Sequence, residues 1–135
     1  MIKIAVMGYG TIGSGVVEVL NTNKESIKKR VGEEIEVKYV LDLRDFPGDP
    51  IEKKIVHDYK EIENDPEVRI VVETMGGVEP AYTFVKAMLE AGKSVATSNK
   101  ALVAAKGAEL IAIAKEKNVN FQFEASVGGG IPIIR

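Results

Sequence analysis

Apolar residues along this chain fall into short runs separated by stretches with helical spacing. Ile2, Ile4, Ala5, Val6 and Met7 form a nearly continuous run, as expected of a strand covered on both faces. Gly8-Tyr9-Gly10-Thr11-Ile12-Gly13 follows, and then Val16, Val17, Val19 and Leu20. The pattern predicts a strand over 2–7, a glycine turn, and a helix from about Thr11 to Leu20. Asn21, Thr22 and Asn23 weaken the helical pattern, Ile27 and Val31 resume it, and Gly32 supplies a stop. Residues 35–43 read as a second strand. Residues 45–50, rich in Asp, Pro and Gly, read as an exposed loop.

The second half repeats the alternation. Asp58 with Glu61 three residues later predicts a short capped helix ending before Pro66. Val68 to Glu73 is a strand. Pro80 opens a helix with Ala81, Phe84, Val85, Met88 and Leu89 on one stripe, stopped by Gly92. Ser94 to Thr97 is a strand. Asn99 caps a helix from about Lys100 to Glu116, with Lys115 and Lys117 at its favourable end. Asn120 to Glu124 is the last strand. Five strands alternating with helices predict an α/β fold, a Rossmann-type three-layer sandwich with an open, mostly parallel sheet. Ligands of such sheets bind at the carboxyl ends of the strands. Here those ends are residues 8–13, 42–45, 74–77, 98–100 and 125–130, each polar or glycine-rich.

Composition narrows the function. The chain has 135 residues, enough for one domain with a core. Its 18 basic and 20 acidic residues give a formal charge of −2, which does not favour nucleic acid. It contains no Cys, excluding disulfides and thiolate chemistry from these residues. No signal-peptide pattern or uninterrupted apolar span is visible. No spaced His/Asp/Glu set suggests a metal site.

The glycine turn is the strongest chemical signal. Between a buried strand and a helix, it points to a dinucleotide pocket. Gly8 makes the tight turn, Gly10 lets the backbone approach a pyrophosphate, and Gly13 lets the helix pack closely. Thr11 and Ile12 offer backbone N–H groups to the phosphates. Gly15 reads as another close-packing glycine. At the second strand's end, Asp42 would accept ribose hydroxyls of NAD, whereas Arg44 would suit the 2′-phosphate of NADP. The balance tips slightly to NAD through Asp42, although Asp42 lies later than the usual spacing. Thr74, Met75, Gly76 and Gly77 line the nicotinamide side, and Ser98 and Asn99 contribute from the fourth strand's end. Glu73 is read as accepting a ribose or local backbone hydrogen bond, not as a general base. Lys100 is the best catalytic candidate, because a cation at a helix N-terminus opposes the helix dipole and suggests retention for chemistry. His57 is read as a surface residue without a partner, and Tyr59 and Tyr82 as packing residues.

The chain resembles the N-terminal domain of homoserine dehydrogenases. The resemblance rests on residues 8–17, Glu73-Thr74-Met75-Gly76-Gly77, Thr97-Ser98-Asn99-Lys100-Ala101-Leu102, and the block from Phe123 to Ile134. It implies NAD(P)-dependent interconversion of L-homoserine and L-aspartate 4-semialdehyde, in the branch leading to threonine and methionine, by a cytoplasmic homodimer. It places the family's catalytic lysine at Lys100 and a nicotinamide-side glycine segment over Val127 to Ile131, including Gly128 and Gly129. It also implies a cofactor domain over 1–126 and, over 127–135, the start of a hinge to a substrate domain absent from this chain. These 135 residues alone are then expected to bind cofactor but turn over little or no substrate. A dehydrogenase for another aldehyde or hydroxy acid, and a non-catalytic dinucleotide-sensing module, are the alternatives.

Overall fold

The computed structural model describes residues 2–123. Among them, six strands form one sheet in the order β3-β2-β1-β4-β5-β6, every neighbouring pair parallel. They are β1 (Ile2–Met7), β2 (Ile35–Leu41), β3 (Ile55–Val56), β4 (Val68–Glu73), β5 (Ser94–Thr97) and β6 (Phe121–Phe123). The helices are α1 (Thr11–Thr22), α2 (Lys24–Val31), α3 (Tyr59–Glu63), α4 (Ala81–Glu90) and α5 (Lys100–Lys117), with a short 3-10 helix over Pro50–Lys54.

The apolar run of β1 serves two cores by alternation. Ile2, Ile4 and Val6 pack with Val16, Val17 and Leu20 of α1 and with Ile51 of the 3-10 helix. Ala5 and Met7 face the other way, toward Ile62 of α3, Val85 and Met88 of α4, and Leu102 and Leu110 of α5. The result is helix, sheet, helix, with β1 between β2 and β4 at the centre. That arrangement gathers the carboxyl ends of β1, β2, β4 and β5 along one edge. No helix among the described residues is long and apolar enough to cross a membrane.

Several boundaries moved for local physical reasons. The helical stretch before Gly32 is two helices. At the junction, Thr22 Oγ1 donates to the Glu18 carbonyl and Asn23 Nδ2 to the Val19 carbonyl, so side chains compete for the helix's own acceptors. Strand β2 ends at Leu41 rather than residue 43, because the Asp42 carboxylate accepts the Arg44 backbone N–H at 2.9 Å and turns the chain. The 45–50 loop is not wholly solvent-facing: Phe46 packs against the α1-side core, and the 3-10 helix after it buries Ile51. β3, not foreseen, is only two residues long and pairs with Val40 and Leu41. Helix α4 begins just after Pro80, with the Glu79 carboxylate accepting the Thr83 N–H. Asp58 caps α3 and Asn99 caps α5, as the spacing predicts. The last strand is described only to Phe123, and Glu124 and the 126/127 domain boundary lie outside the described residues.

Far from that edge, buried Lys93 closes the base of the fold. Its Nζ donates to the Asp65 and Val68 carbonyls at 2.7 and 2.8 Å. Lys93→Met keeps the stem but removes this donor from both carbonyls, leaving that of Asp65 with the Val68 N–H, and a loss of about 2 kcal/mol in urea unfolding is expected. An unchanged midpoint would show that water replaces the ammonium there.

Candidate cofactor site

The glycine turn is built by close backbone approach. Gly8 has φ +99°, a left-handed conformation that side chains resist. Its N–H donates to the Leu41 carbonyl at 2.7 Å, tying the turn to β2. A Cβ on Gly13 would lie 1.9 Å from the Gly8 carbonyl oxygen, so the start of α1 rests directly on the turn. Thr74 closes the arrangement from β4, its Oγ1 lying 3.0 Å from the Met7 carbonyl oxygen and 3.2 Å from that of Gly8. Gly10 precedes α1 without a side-chain cap, and the first turn of α1 carries no acidic residue. Among the described residues, nothing beyond its chain neighbours lies within 4 Å of a Cβ built on Gly10. An uncapped helix N-terminus with open space before it suits a diphosphate, which brings the charge and acceptors that the terminus lacks. Gly15 departs from expectation: among the described residues nothing outside its own helix turn lies within 4 Å of its Cβ position, so packing against them does not require glycine there.

At the end of β2, Asp42 is a junction. Its Oδ2 accepts the Tyr9 N–H at 2.9 Å, and its carboxylate takes Arg44 Nε and a terminal guanidinium nitrogen at 3.0 Å each. The Arg44 guanidinium and these backbone donors hold the Asp42 carboxyl down at about 2, against the opposing effect of burial. Arg44 also lies over the Phe46 ring at 5.1 Å, and Phe46 meets Tyr9 edge-on at 5.0 Å. Two features here escaped the sequence reading. Leu43 is 89% exposed at the edge of this patch. His57, expected to lack a partner, contacts the Asp42 carbonyl and the Asp45 carboxylate. Both are products of how β2 and β3 end, and no local motif marks them.

At the ends of β4 and β5, Glu73 is fully buried. Its carboxylate accepts from the Thr97 hydroxyl at 2.5 Å, the Met75 N–H at 2.8 Å and Asn99 Nδ2 at 3.4 Å. The local backbone hydrogen bond foreseen for Glu73 is the one from the Met75 N–H. Asn99 works in three directions. Its Oδ1 accepts the Leu102 N–H and caps α5, while Nδ2 also donates to the Gly77 carbonyl at 2.6 Å. Gly76 and Gly77 both have positive φ, which lets the 74–77 loop fold over this network. Ser98 is half-buried, its N–H donating to the Glu73 carbonyl at 3.2 Å. Lys100 is the first residue of α5 and exposed, and its side chain makes no hydrogen bond or ion pair with a described residue. Gly128 and Gly129 lie outside the described residues. Tyr59 stacks on Phe84 as a packing residue. Tyr82 instead engages Glu109 through its hydroxyl, between Lys86 and Lys106.

A cleft of about 450 Å³ runs down the flank of α1, lined in part by Val17, Glu18, Thr22, Asp49 and Ile51. Among its lining charges the Glu18 and Asp49 carboxylates outnumber Lys54, whose ammonium already donates to the Val37 carbonyl, so it disfavours a pyrophosphate, and it lies beside the strand ends rather than across them. The strand-end edge is therefore the better cofactor site. Glycine turn, uncapped helix and parallel sheet together define a Rossmann-type dinucleotide-binding domain.

The comparisons with known proteins specify it further. The chain belongs to the homoserine dehydrogenase family, matching over residues 8–124 the family described as "Homoserine dehydrogenase, NAD binding domain". The homoserine dehydrogenase of Lactococcus lactis is 42% identical over 140 residues, covering 99% of this chain and 32% of the relative. A crystal structure of Staphylococcus aureus homoserine dehydrogenase at pH 8.5 superposes with a TM-score of 0.84 at 36% identity, covering 93% of this chain and 32% of that one. A hyperthermophilic archaeal homoserine dehydrogenase mutant, described as in complex with NADPH, gives a TM-score of 0.74 at 26% identity, covering 93% and 44%. The chain thus spans about a third of the length of the curated relatives it matches.

Two glycines in one helix should respond oppositely to alanine. Gly13→Ala forces a Cβ into the Gly8 carbonyl and is expected to cost about 3 kcal/mol. Gly15→Ala meets no described atom and is expected to add roughly 0.5–1 kcal/mol through helix propensity. Thermal unfolding of the two variants checks both signs.

Proposed function

We propose that this chain is the cofactor-binding part of a dehydrogenase interconverting L-homoserine and L-aspartate 4-semialdehyde with NAD(P)(H). The observation that carries the reading is the uncapped α1 terminus and the α5 start bearing Lys100 on one strand-end edge, within a family match spanning both. Bound there, the nicotinamide supplies or accepts the hydride. The chain's own residues do the rest. The N–H groups at the start of α1 hold the diphosphate. The 74–77 loop, fixed through Glu73 and Asn99, lines the nicotinamide side. Lys100 offers an ammonium to the substrate oxygen, stabilising negative charge as the carbonyl is reduced and donating a proton at that oxygen.

The choice of dinucleotide follows from Asp42. Both of its oxygens already hold donors, and it is only 9% exposed, whereas the Arg44 side chain is 62% exposed. A ribose hydroxyl would have to displace Arg44 from the carboxylate, whereas a 2′-phosphate would meet the guanidinium directly. This favours NADP(H), the reverse of the order suggested by Asp42 alone. The archaeal relative described with NADPH is consistent with that order.

A cytoplasmic homodimer completed by a substrate domain is part of the same proposal, as is weak or absent turnover by these 135 residues alone. The rival reading, a sensing module, offers no reason for a lysine there whose side chain has no partner among the described residues.

Two measurements test the proposal. Titration calorimetry should give tighter binding of NADP than NAD, with Arg44→Ala weakening NADP by roughly 10-fold or more and NAD by less than about threefold. Tighter NAD binding would return the site to Asp42. In the intact dehydrogenase, Lys100→Met should lower kcat by about 100-fold or more while leaving the cofactor Kd within about threefold. Unimpaired turnover would remove Lys100 from the chemistry.

A further inference from the structure

His57 follows β3 and faces back onto the end of β2. Its Nδ1 lies 2.7 Å from the Asp42 carbonyl oxygen, and its Nε2 lies 2.9 Å from Asp45 Oδ1. The protonation state follows from the partners. A carbonyl oxygen only accepts, so Nδ1 carries a hydrogen. An ionised carboxylate also only accepts, so Nε2 must carry one too. Both contacts hold together only in the imidazolium form. Loss of the Nε2 proton sets a lone pair against the Asp45 carboxylate.

The grip falls on a residue that matters. The carbonyl held by His57 belongs to Asp42, whose carboxylate binds the Tyr9 N–H in the glycine turn and the Arg44 guanidinium. His57 thus holds from behind the residue that joins the end of β2 to the phosphate-binding turn. The charged groups near it are the Asp45 and Asp42 carboxylates, with Arg44 paired to Asp42. Neighbouring Asp58 is turned to cap α3 through the Lys60 N–H.

We infer that His57 is a positioning residue for cofactor binding: as imidazolium it braces the 42–45 segment, and its deprotonation loosens that segment and weakens dinucleotide binding. The inference rests on the dinucleotide reading of this site. Its sign is fixed. The Asp42 carbonyl first, and then the Asp45 carboxylate, raise the His57 pKa above the ordinary histidine value. The brace is therefore complete below that ordinary value and lost as pH rises through the raised one. Half exposure of His57 and greater exposure of Asp45 screen the pair and keep the effect modest.

The test is calorimetric titration of the chain with NAD and NADP from pH 6 to 9, in wild type, His57→Gln and Asp45→Asn. NAD is the cleaner probe, since the 2′-phosphate of NADP loses its second proton near pH 6 and drives affinity for a guanidinium the other way. Wild-type affinity for NAD should fall by about 3- to 10-fold across the range. In His57→Gln it should stay flat within about twofold, at the weaker value. In Asp45→Asn, which keeps the Nδ1 bond, the fall should move to lower pH. A flat wild-type profile, the same slope in His57→Gln, or an unmoved midpoint in Asp45→Asn would each overturn the brace. Failure of the folded chain to bind either dinucleotide at any pH would overturn the dinucleotide reading as well.

Discussion

A carboxylate buried at the centre of the strand-end edge governs how the site is assembled. Glu73 has no exposed surface and terminates β4. A carboxyl group placed there would be strongly disfavoured without donors to its oxygens. Three are supplied: the Thr97 hydroxyl from β5, the Met75 N–H from the following loop, and the Asn99 amide from the start of α5. Each comes from an element that the site needs in register. Asn99 then transmits the constraint, capping α5 on one side and holding the Gly77 carbonyl on the other. Lys100 is the next residue, so the origin of its side chain is set by the same network.

The other half of the edge is held by backbone proximity rather than by a buried carboxyl group. Gly8 and Gly13 touch where no side chain fits, and Thr74 bridges that contact to β4. Asp42 joins the turn to β2 through the Tyr9 N–H. The site therefore has two poles. The Asp42–Arg44–His57 group lies at the end where the proposal puts adenosine, and Lys100, whose side chain has no partner among the described residues, lies at the end where it puts the reaction. Between them lies the uncapped terminus of α1, with no acidic residue in its first turn to oppose phosphate.

Much of this was legible in the residues, and the pattern of success has a physical basis. Gly8, Gly10 and Gly13 lie within six positions of one another, between a strand and a helix, so local spacing carried the prediction. Asn99 was legible as a cap because capping is also local. Glu73 was legible as a strand end and a local backbone acceptor but not as a buried hub, since Thr97 and Asn99 stand 24 and 26 positions away and burial comes from tertiary packing. Phe46 shows the same limit in the Asp/Pro/Gly-rich stretch, where polar composition hid a packing aromatic, and Leu43 shows it just before, where apolar character read as strand and not as an exposed leucine. His57 was passed over because its partners lie 12 and 15 positions away and depend on β3, a strand too short to leave a periodic signal.

The central claim is that the dinucleotide lies across the carboxyl ends of β1, β2, β4 and β5. Amide chemical-shift mapping of the isotope-labelled chain during titration with NADP tests it most directly. The account predicts the largest shifts at Gly10 to Gly13, Arg44, Met75 to Gly77 and Lys100, with Thr22, Ile51 and Lys54 unmoved. Shifts centred on Glu18, Thr22 and Ile51, in the cleft along α1, would contradict it.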